Sequence, residues 1–262
     1  MHPPPQATSA ETSPPEDQHL KEMLENEAHW NAKPVLREVY AGFYNEISRW
    51  VDESVPGIVA ELGSGLGKIR EHLPQCVTTD IFPNPWLDQV EDAYRLSFAD
   101  RSVSHLILFD VWHHLERTGD ALKEFRRVLQ PSGRLILFEP AMSWLGRVVY
   151  GLCHHEPLGL SHTVHWDCTP PSTEVESRYF AAQSLASRIF WFRESQQRLD
   201  EAGWKVEKVK VFPALDYLAC GGFRGPCLSP PIPRRFFQML NIAAGMLPRI
   251  FGTRLLVVMK PA

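Results

Sequence analysis

A parallel β-sheet wrapped by helices on both faces, the doubly wound α/β class, is what this 262-residue sequence predicts. Three observations predict it. First, short runs that are apolar on both faces recur: GIVAEL (57–62), CVTTD (76–80), SHLILFD (104–110) and RLILFEP (134–140). Such runs read as buried parallel strands. Second, segments of helical spacing alternate with them, the pattern of strand–helix–strand units. Third, a glycine-rich turn, ELGSGLG (61–67), follows the first run.

In chain order, the Pro- and Ser-rich stretch 1–18 lacks an apolar block and reads as a disordered tail. Residues 19–56 carry apolar positions at three- and four-residue steps, from Leu20, Met23 and Leu24 to Val35, Leu36, Val39, Phe43 and Ile47. Pro34 divides them into two helices, because it disfavours helix at Lys33. GKIREHL (67–73) reads as a short helix ended by Pro74. GDALKEFRRVLQPSG (119–133) reads as a helix with Ala121, Leu122, Phe125 and Leu129 inward, stopped by Pro131 and Gly133.

Beyond Pro140 the regularity lapses, and 141–190, rich in His, Trp and Pro, reads as an insertion. A helix, a stop at Gly203 and an alternating strand (205–212) follow, and RLLVVMK (254–260) supplies a last, antiparallel strand. The stretch 213–252 between them is too long for a structureless loop, so it should hold helices. Its apolar residues Phe236, Phe237, Met239, Leu240, Met246 and Leu247 are expected as buried lid or core. Only Arg234, Arg235 and Arg249 would supply the basic face of a membrane-surface helix.

A net charge of −4 gives no broad attraction to nucleic acid, so no nucleic-acid partner is expected. Five cysteines form no CxxC pair and no signal peptide is visible, which reads as reduced thiols in a cytoplasmic protein. No run of eighteen apolar residues exists to span a bilayer; peripheral membrane contact stays open.

The glycines narrow the ligand. A turn without Cβ atoms lets a ligand approach the backbone. Dinucleotide sites use G-x-G-x-x-G, but here Gly63, Gly65 and Gly67 are followed by Lys68. A donor with a cationic amino-acid end and a ribose diol needs close backbone and two carboxylates. Glu61 and Asp80 stand at the ends of adjacent strands, where those two belong.

The ordered set ELGSGLG, TTD, EDA, LILFDVWHHL and LQPSGRLILFEP resembles the class I S-adenosylmethionine (SAM)-dependent methyltransferases of the methyltransferase type 11 group. The resemblance covers roughly residues 35–140 and implies a Rossmann-like fold with SAM as cofactor. It implies that Glu61, Gly63, Ser64, Gly65 and Gly67 line the methionine part. Asp80 would hold the ribose hydroxyls, with Ile81 on the adenine face and Asp92 and Ala93 at the adenine edge. Phe109 and Asp110 would border the methionyl end, and Tyr40 or Tyr44, from a helix over the cofactor, would touch it. The sequence departs from the family by compressing 81–91, so Phe82, Trp86 and Leu87 are alternative adenine walls.

The chain thus divides into the tail, cofactor-covering helices (19–56) and a methyltransferase domain (57–262). Insertions at 141–190 and 213–252 would form an acceptor-site lid. The cluster CHHEPLGLSHTVHWD (153–167) offers His154, His155 and His165 as candidate bases, histidine being suited to a proton transfer near neutral pH. Its spacing matches no metal signature, and no metal is expected. The expected acceptor is a small molecule, lipid-like metabolite or sugar intermediate. The alternative is a SAM-binding regulatory or partner protein without catalysis.

Overall fold

The computed structural model describes residues 15–154, 156–166, 180–227 and 234–262. Its sheet has seven strands: β1 (Ile58–Leu62), β2 (Val77–Asp80), β3 (Gln89–Val90), β4 (Val103–Phe109), β5 (Leu129–Pro140), β6 (Trp204–Phe212) and β7 (Arg254–Pro261). They lie in the order 3-2-1-4-5-7-6. The first five pair in parallel, and β7 runs antiparallel to both β5 and β6. This is the expected doubly wound sheet with its C-terminal antiparallel strand.

Strand residues alternate between two cores, one on each face of the sheet. Leu106, Leu108, Leu135, Leu137, Leu255 and Val257 join one core; Ile107, Phe109, Ile136, Phe138, Leu256 and Val258 join the other. Apolar residues at both alternating positions are what a central strand covered on both sides requires.

Two helices precede the sheet, α1 (Pro15–Ala32) and α2 (Pro34–Ser48). Pro34 divides them, with Lys33 non-helical at φ −115° and ψ 87°. Lys33 Nζ donates to the carbonyls of Gly222, Phe223 and Gly225 at 2.6–2.9 Å, tying this joint to the C-terminal insertion. From α2, Leu36, Val39, Phe43 and Ile47 pack on the sheet.

Several boundaries differ from those expected. The helix at 67–73 is only a tight turn, Lys68–Glu71. Left-handed Gly67 and Pro74 bracket too few residues to repay nucleation of an α-helix. Helix α3 (Thr118–Val128) ends before Leu129, which is extended and pairs with Val103. Pro131 restricts Gln130 to extended backbone, so the chain enters β5 early.

The insertion at 141–190 is more regular than it reads. Ser143 caps α4 (Trp144–Cys153), its Oγ accepting from Gly146 N at 3.0 Å. After α5 (Gln196–Glu201), the C-terminal insertion holds α6 (Leu215–Cys220), α7 (Arg234–Gly245) and α8 (Pro248–Phe251), as its length demands. The expectation that the 236–247 stretch is buried does not hold. Phe236, Met239, Leu240, Met246 and Leu247 are exposed, because α7 turns Ala244 inward and directs its bulkier residues out.

Candidate active site

Five parallel strands end along one edge, and β7 begins there. In register, Glu61 sits between Thr78 and Ile107, Phe109 faces Phe138, and Pro140 faces Arg254. The residues just beyond these strand ends build the site, as is general for open α/β sheets.

The glycine turn leaves β1 with Gly63, Gly65 and Gly67 all at positive φ (66°, 51° and 61°). A Cβ on Gly63 would lie 2.3 Å from Val111 Cγ2, and one on Gly67 would lie 2.9 Å from the Trp86 carbonyl. Ser64 N donates to Thr79 O at 2.8 Å, and Ser64 Oγ donates to Glu61 O at 3.0 Å, locking the turn to β2.

Glu61 is buried, and among the described residues its Oε2 has no hydrogen-bond partner. Burial pushes its carboxyl up to about 8; Ser64 opposes this and Asp80 adds to it. Asp80 is buried at the end of β2. Its Oδ1 accepts from Ile81 N at 2.8 Å and its Oδ2 from Gly65 N at 3.2 Å. Burial raises its carboxyl above the usual range, while His19 opposes the rise. Helix α1 lies over this place: His19 Nε2 is 3.8 Å from Asp80 Oδ2, and Met23 Sδ would be 3.6 Å from a Cβ on Gly65.

The residues expected at the adenine end separate. Ile81 is exposed beside Asp80. Asp92 is exposed and accepts from Tyr94 N at 2.9 Å, closing its own turn, while Ala93 packs on the core. Closer to the glycines are Asn84, whose Nδ2 donates to Gly65 O at 3.3 Å, Trp86, and Phe82, whose ring is 5.2 Å from His19. Asn84 was missed; its Asx turn within PNPW was the available signal.

At the end of β4, the Phe109 ring stacks 5.3 Å from Tyr40 and meets Tyr44 edge-on at 5.5 Å. Both tyrosines of α2 are buried against Phe109 rather than open on the cradle. Asp110 takes φ 55°, and its Oδ1 accepts from Arg254 Nη1 at 2.5 Å. Buried Arg254 lies 4.6 Å from the Tyr217 ring and 5.3 Å from that of Phe43.

Sequence reasoning gave no role to Glu139, which organises the neighbouring turn. Its Oε1 accepts from Val111 N and Trp112 N at 2.9 and 2.7 Å, and its Oε2 accepts from His113 Nδ1 at 2.6 Å. His113 Nε2 lies 3.3 Å from Glu156 Oε2. Burial alone would lower the His113 imidazole, but the carboxylates of Glu139 and Glu156 hold it up at about 10. Glu156 is raised by burial, yet the surrounding imidazoles carry it down to about 2. The result is a charged Glu139–His113–Glu156 relay.

His114 stands beside it, its Nδ1 donating to Phe180 O at 2.9 Å; burial and the His113 cation lower it to about 4. The ligand-type atoms of His113, His114 and Glu156 lie within 4.8 Å of one another, though His113 and Glu156 already neutralise each other.

Of the three histidines expected to act as bases, His154 reaches this group, with Nδ1 3.7 Å from Glu156 Oε2. His155 lies outside the described residues. His165 bridges Arg117 through its backbone, and its ring lies 5.9 Å from His162.

Cradle and donor fit one another. A buried carboxyl oxygen with no partner among the described residues suits the ammonium of SAM, a second carboxyl group stands at the neighbouring strand end, where it could accept from a diol, and the glycines leave backbone uncovered.

Residues 60–137 match the family model Methyltransf_11, a methyltransferase domain. "Probable tRNA methyltransferase 9B" of Mus musculus is 27% identical over 147 residues, 51% of this chain and 33% of that protein. This chain thus spans about a third of the length of that curated relative. One solved structure with a similar fold is the complex between the Haloferax volcanii Trm112 methyltransferase activator and a methyltransferase. It has a TM-score of 0.53 and 17% identity over 94% of this chain and 96% of that one. Another is geranyl diphosphate C-methyltransferase from Streptomyces coelicolor, determined with Mg2+, geranyl diphosphate and S-adenosylhomocysteine. It has a TM-score of 0.51 and 10% identity over 97% of this chain and 86% of that one. The strand order, the glycine cradle with its two carboxylates and the domain match lead to one assignment: this chain carries a class I SAM-dependent methyltransferase domain of the type 11 group.

Proposed function

We propose that the chain moves a methyl group from SAM to a small, lipid-like or sugar-intermediate acceptor seated beside the Glu139–His113–Glu156 relay. The observation that carries the reading is Glu61, a buried acid at the start of the glycine turn whose Oε2 has no hydrogen-bond partner among the described residues. In this reading Glu61 accepts from the amino end of the donor and Asp80 from its diol. Phe109 and Asp110 border the methionyl end, and helices α1 and α2 close the cleft. SAM, when bound, supplies an activated methyl on a sulfonium that is already a good leaving group.

The chain's task is mainly to position. It must hold the acceptor atom about 3 Å from the methyl, opposite sulfur, and exclude water. The charged relay fixes the turn after β4, and His154 and Glu156 present polar atoms to the acceptor. His113 is protonated at neutral pH and so acts as a donor; a hydroxyl acceptor would lose its proton to another group at this edge, with His154 in reach. Methylation assays across lipid-linked sugars and small hydroxylated metabolites test the acceptor. His154→Ala should slow turnover while SAM affinity holds, and unchanged turnover would remove His154 from the reaction.

The relatives favour a second reading, against the expectation of no nucleic-acid partner. Their name states a tRNA methyltransferase, which supports an RNA acceptor. A filter assay with bulk tRNA and labelled SAM separates the two: label retained on RNA, and none in lipid or metabolite fractions, decides for RNA.

A further inference from the structure

The acceptor edge continues into a surface that the catalytic reading leaves unused. Helix α4 leaves β5 and presents Trp144, Val148 and Leu152 outward at four-residue spacing, one stripe along the helix. Helix α8 contacts both α4 and α7, and Ser143 Oγ donates to Ile250 O at 3.1 Å, so the three helices are neighbours on the surface. From α7 and the turn into α8, Phe236, Met239, Ile242, Met246 and Leu247 add to it. Exposure is extreme for apolar side chains: 71% at Trp144, 80% at Leu152, 74% at Ile242 and 81% at Met246. Large apolar side chains left this exposed on neighbouring helices mark an interaction site.

Charge selects the partner. No acidic residue occurs between Glu139 and Glu156, nor anywhere after Asp216, whereas Arg147, Arg235 and Arg249 lie exposed in these helices. A protein partner would need no such one-sided composition. An anionic lipid surface does, because apolar side chains enter the acyl boundary while guanidinium groups meet phosphates. An exposed tryptophan suits the same boundary, being apolar in body and polar at its tip. Among the described residues no helix is long and apolar enough to cross a membrane, so contact would be in-plane.

We propose that α4, α7 and α8 dock the enzyme on an anionic bilayer, bringing the acceptor edge to the lipid surface. This deepens the lipid-like reading of the acceptor and is tested apart from it. The full chain is sedimented with vesicles of phosphatidylcholine alone or with phosphatidylglycerol added. Binding should appear with the anionic vesicles and weaken as salt is raised. Leu152→Glu with Met246→Glu, both at exposed positions, should lower it at least tenfold, and Arg147→Gln with Arg249→Gln should erase the preference for anionic lipid.

Calorimetry of SAM on the same variants should show unchanged affinity. Wild-type protein that sediments no better than the glutamate variant overturns the proposal. So does a chain that self-associates through this face, seen as a mass doubling abolished by the same two glutamates. Loss of SAM binding in the wild type would instead refute the methyltransferase reading and leave vesicle binding to stand or fall alone.

Discussion

Arg254 Nη1 lies 2.5 Å from Asp110 Oδ1, joining the first residue of β7 to the left-handed residue that follows β4. The guanidinium is buried among Phe43, Phe109, Phe138 and Tyr217, and this carboxylate is the one acidic side chain it meets among the described residues. Removing Asp110 would strand a buried charge, which typically costs about 3–5 kcal/mol. Asp110→Ala should therefore lower unfolding stability by that amount in urea titrations. A loss under about 1 kcal/mol, the range of exposed ion pairs, would show the pair to be dispensable.

Cofactor affinity should depend on the two strand-end carboxylates. A hydrogen bond to a charged group contributes about 1.5–3 kcal/mol, so Glu61→Gln and Asp80→Ala should each weaken SAM roughly 10–100-fold by calorimetry. Wild-type affinity in both variants would place the donor elsewhere.

Glu61 also gives a pH signature. Its folded carboxyl sits near 8 against an ordinary 4.5, so the empty fold holds an extra proton between those values. Its contribution to stability is then best at low pH and declines as pH rises through that window. The donor's ammonium favours the ionised form, so binding at pH 7 should release a proton and affinity should climb with pH until about 8. Heats that do not vary between buffers of different ionisation enthalpy would contradict this.

His105 behaves in the opposite sense. It is buried within β4, where its Nε2 accepts from Asp52 N at 3.0 Å. Burial, with help from Arg134, lowers it from 6.5 to about 4. The unfolded chain takes up the proton first, so stability is retained above 6.5 and lost as pH falls toward 4. The loss between pH 7 and pH 5 should be about 1–2 kcal/mol. His105→Asn should flatten that limb of a stability–pH curve; an unchanged limb would assign it to another group.

Gly63→Ala sets a Cβ against Val111 Cγ2 at a backbone angle of +66°. Strain of about 1–2 kcal/mol from the left-handed backbone alone should persist. The added clash should be relieved in the double variant Gly63→Ala with Val111→Ala, read by thermal shift with and without SAM. A double variant no better than the single would mean that Val111 is not the obstacle.

Most of the sheet was legible because its strands are apolar on both faces and separated by turn residues. Glu61, the three glycines and Asp80 were legible for a related reason, since their roles follow from local backbone and strand ends. What failed was non-local. Glu139 lies in a strand read as buried and Glu156 in a His-rich cluster, but nothing local to either shows that the fold places them on either side of His113. Helix α4 was hidden by the His- and Pro-rich company around it, although Ser143 before an apolar decapeptide was a usable cap signal. The outward face of α7 escaped because periodicity identifies a stripe without saying whether anything covers it.

The His19–Asp80 contact has a consequence for turnover. If Asp80 holds the diol of the donor as proposed, donor and helix α1 would meet at the same carboxylate, and the N-terminal helix would have to yield before spent cofactor is exchanged for fresh. In that case, anything that pinned the helix down would throttle the enzyme without touching a single reacting atom.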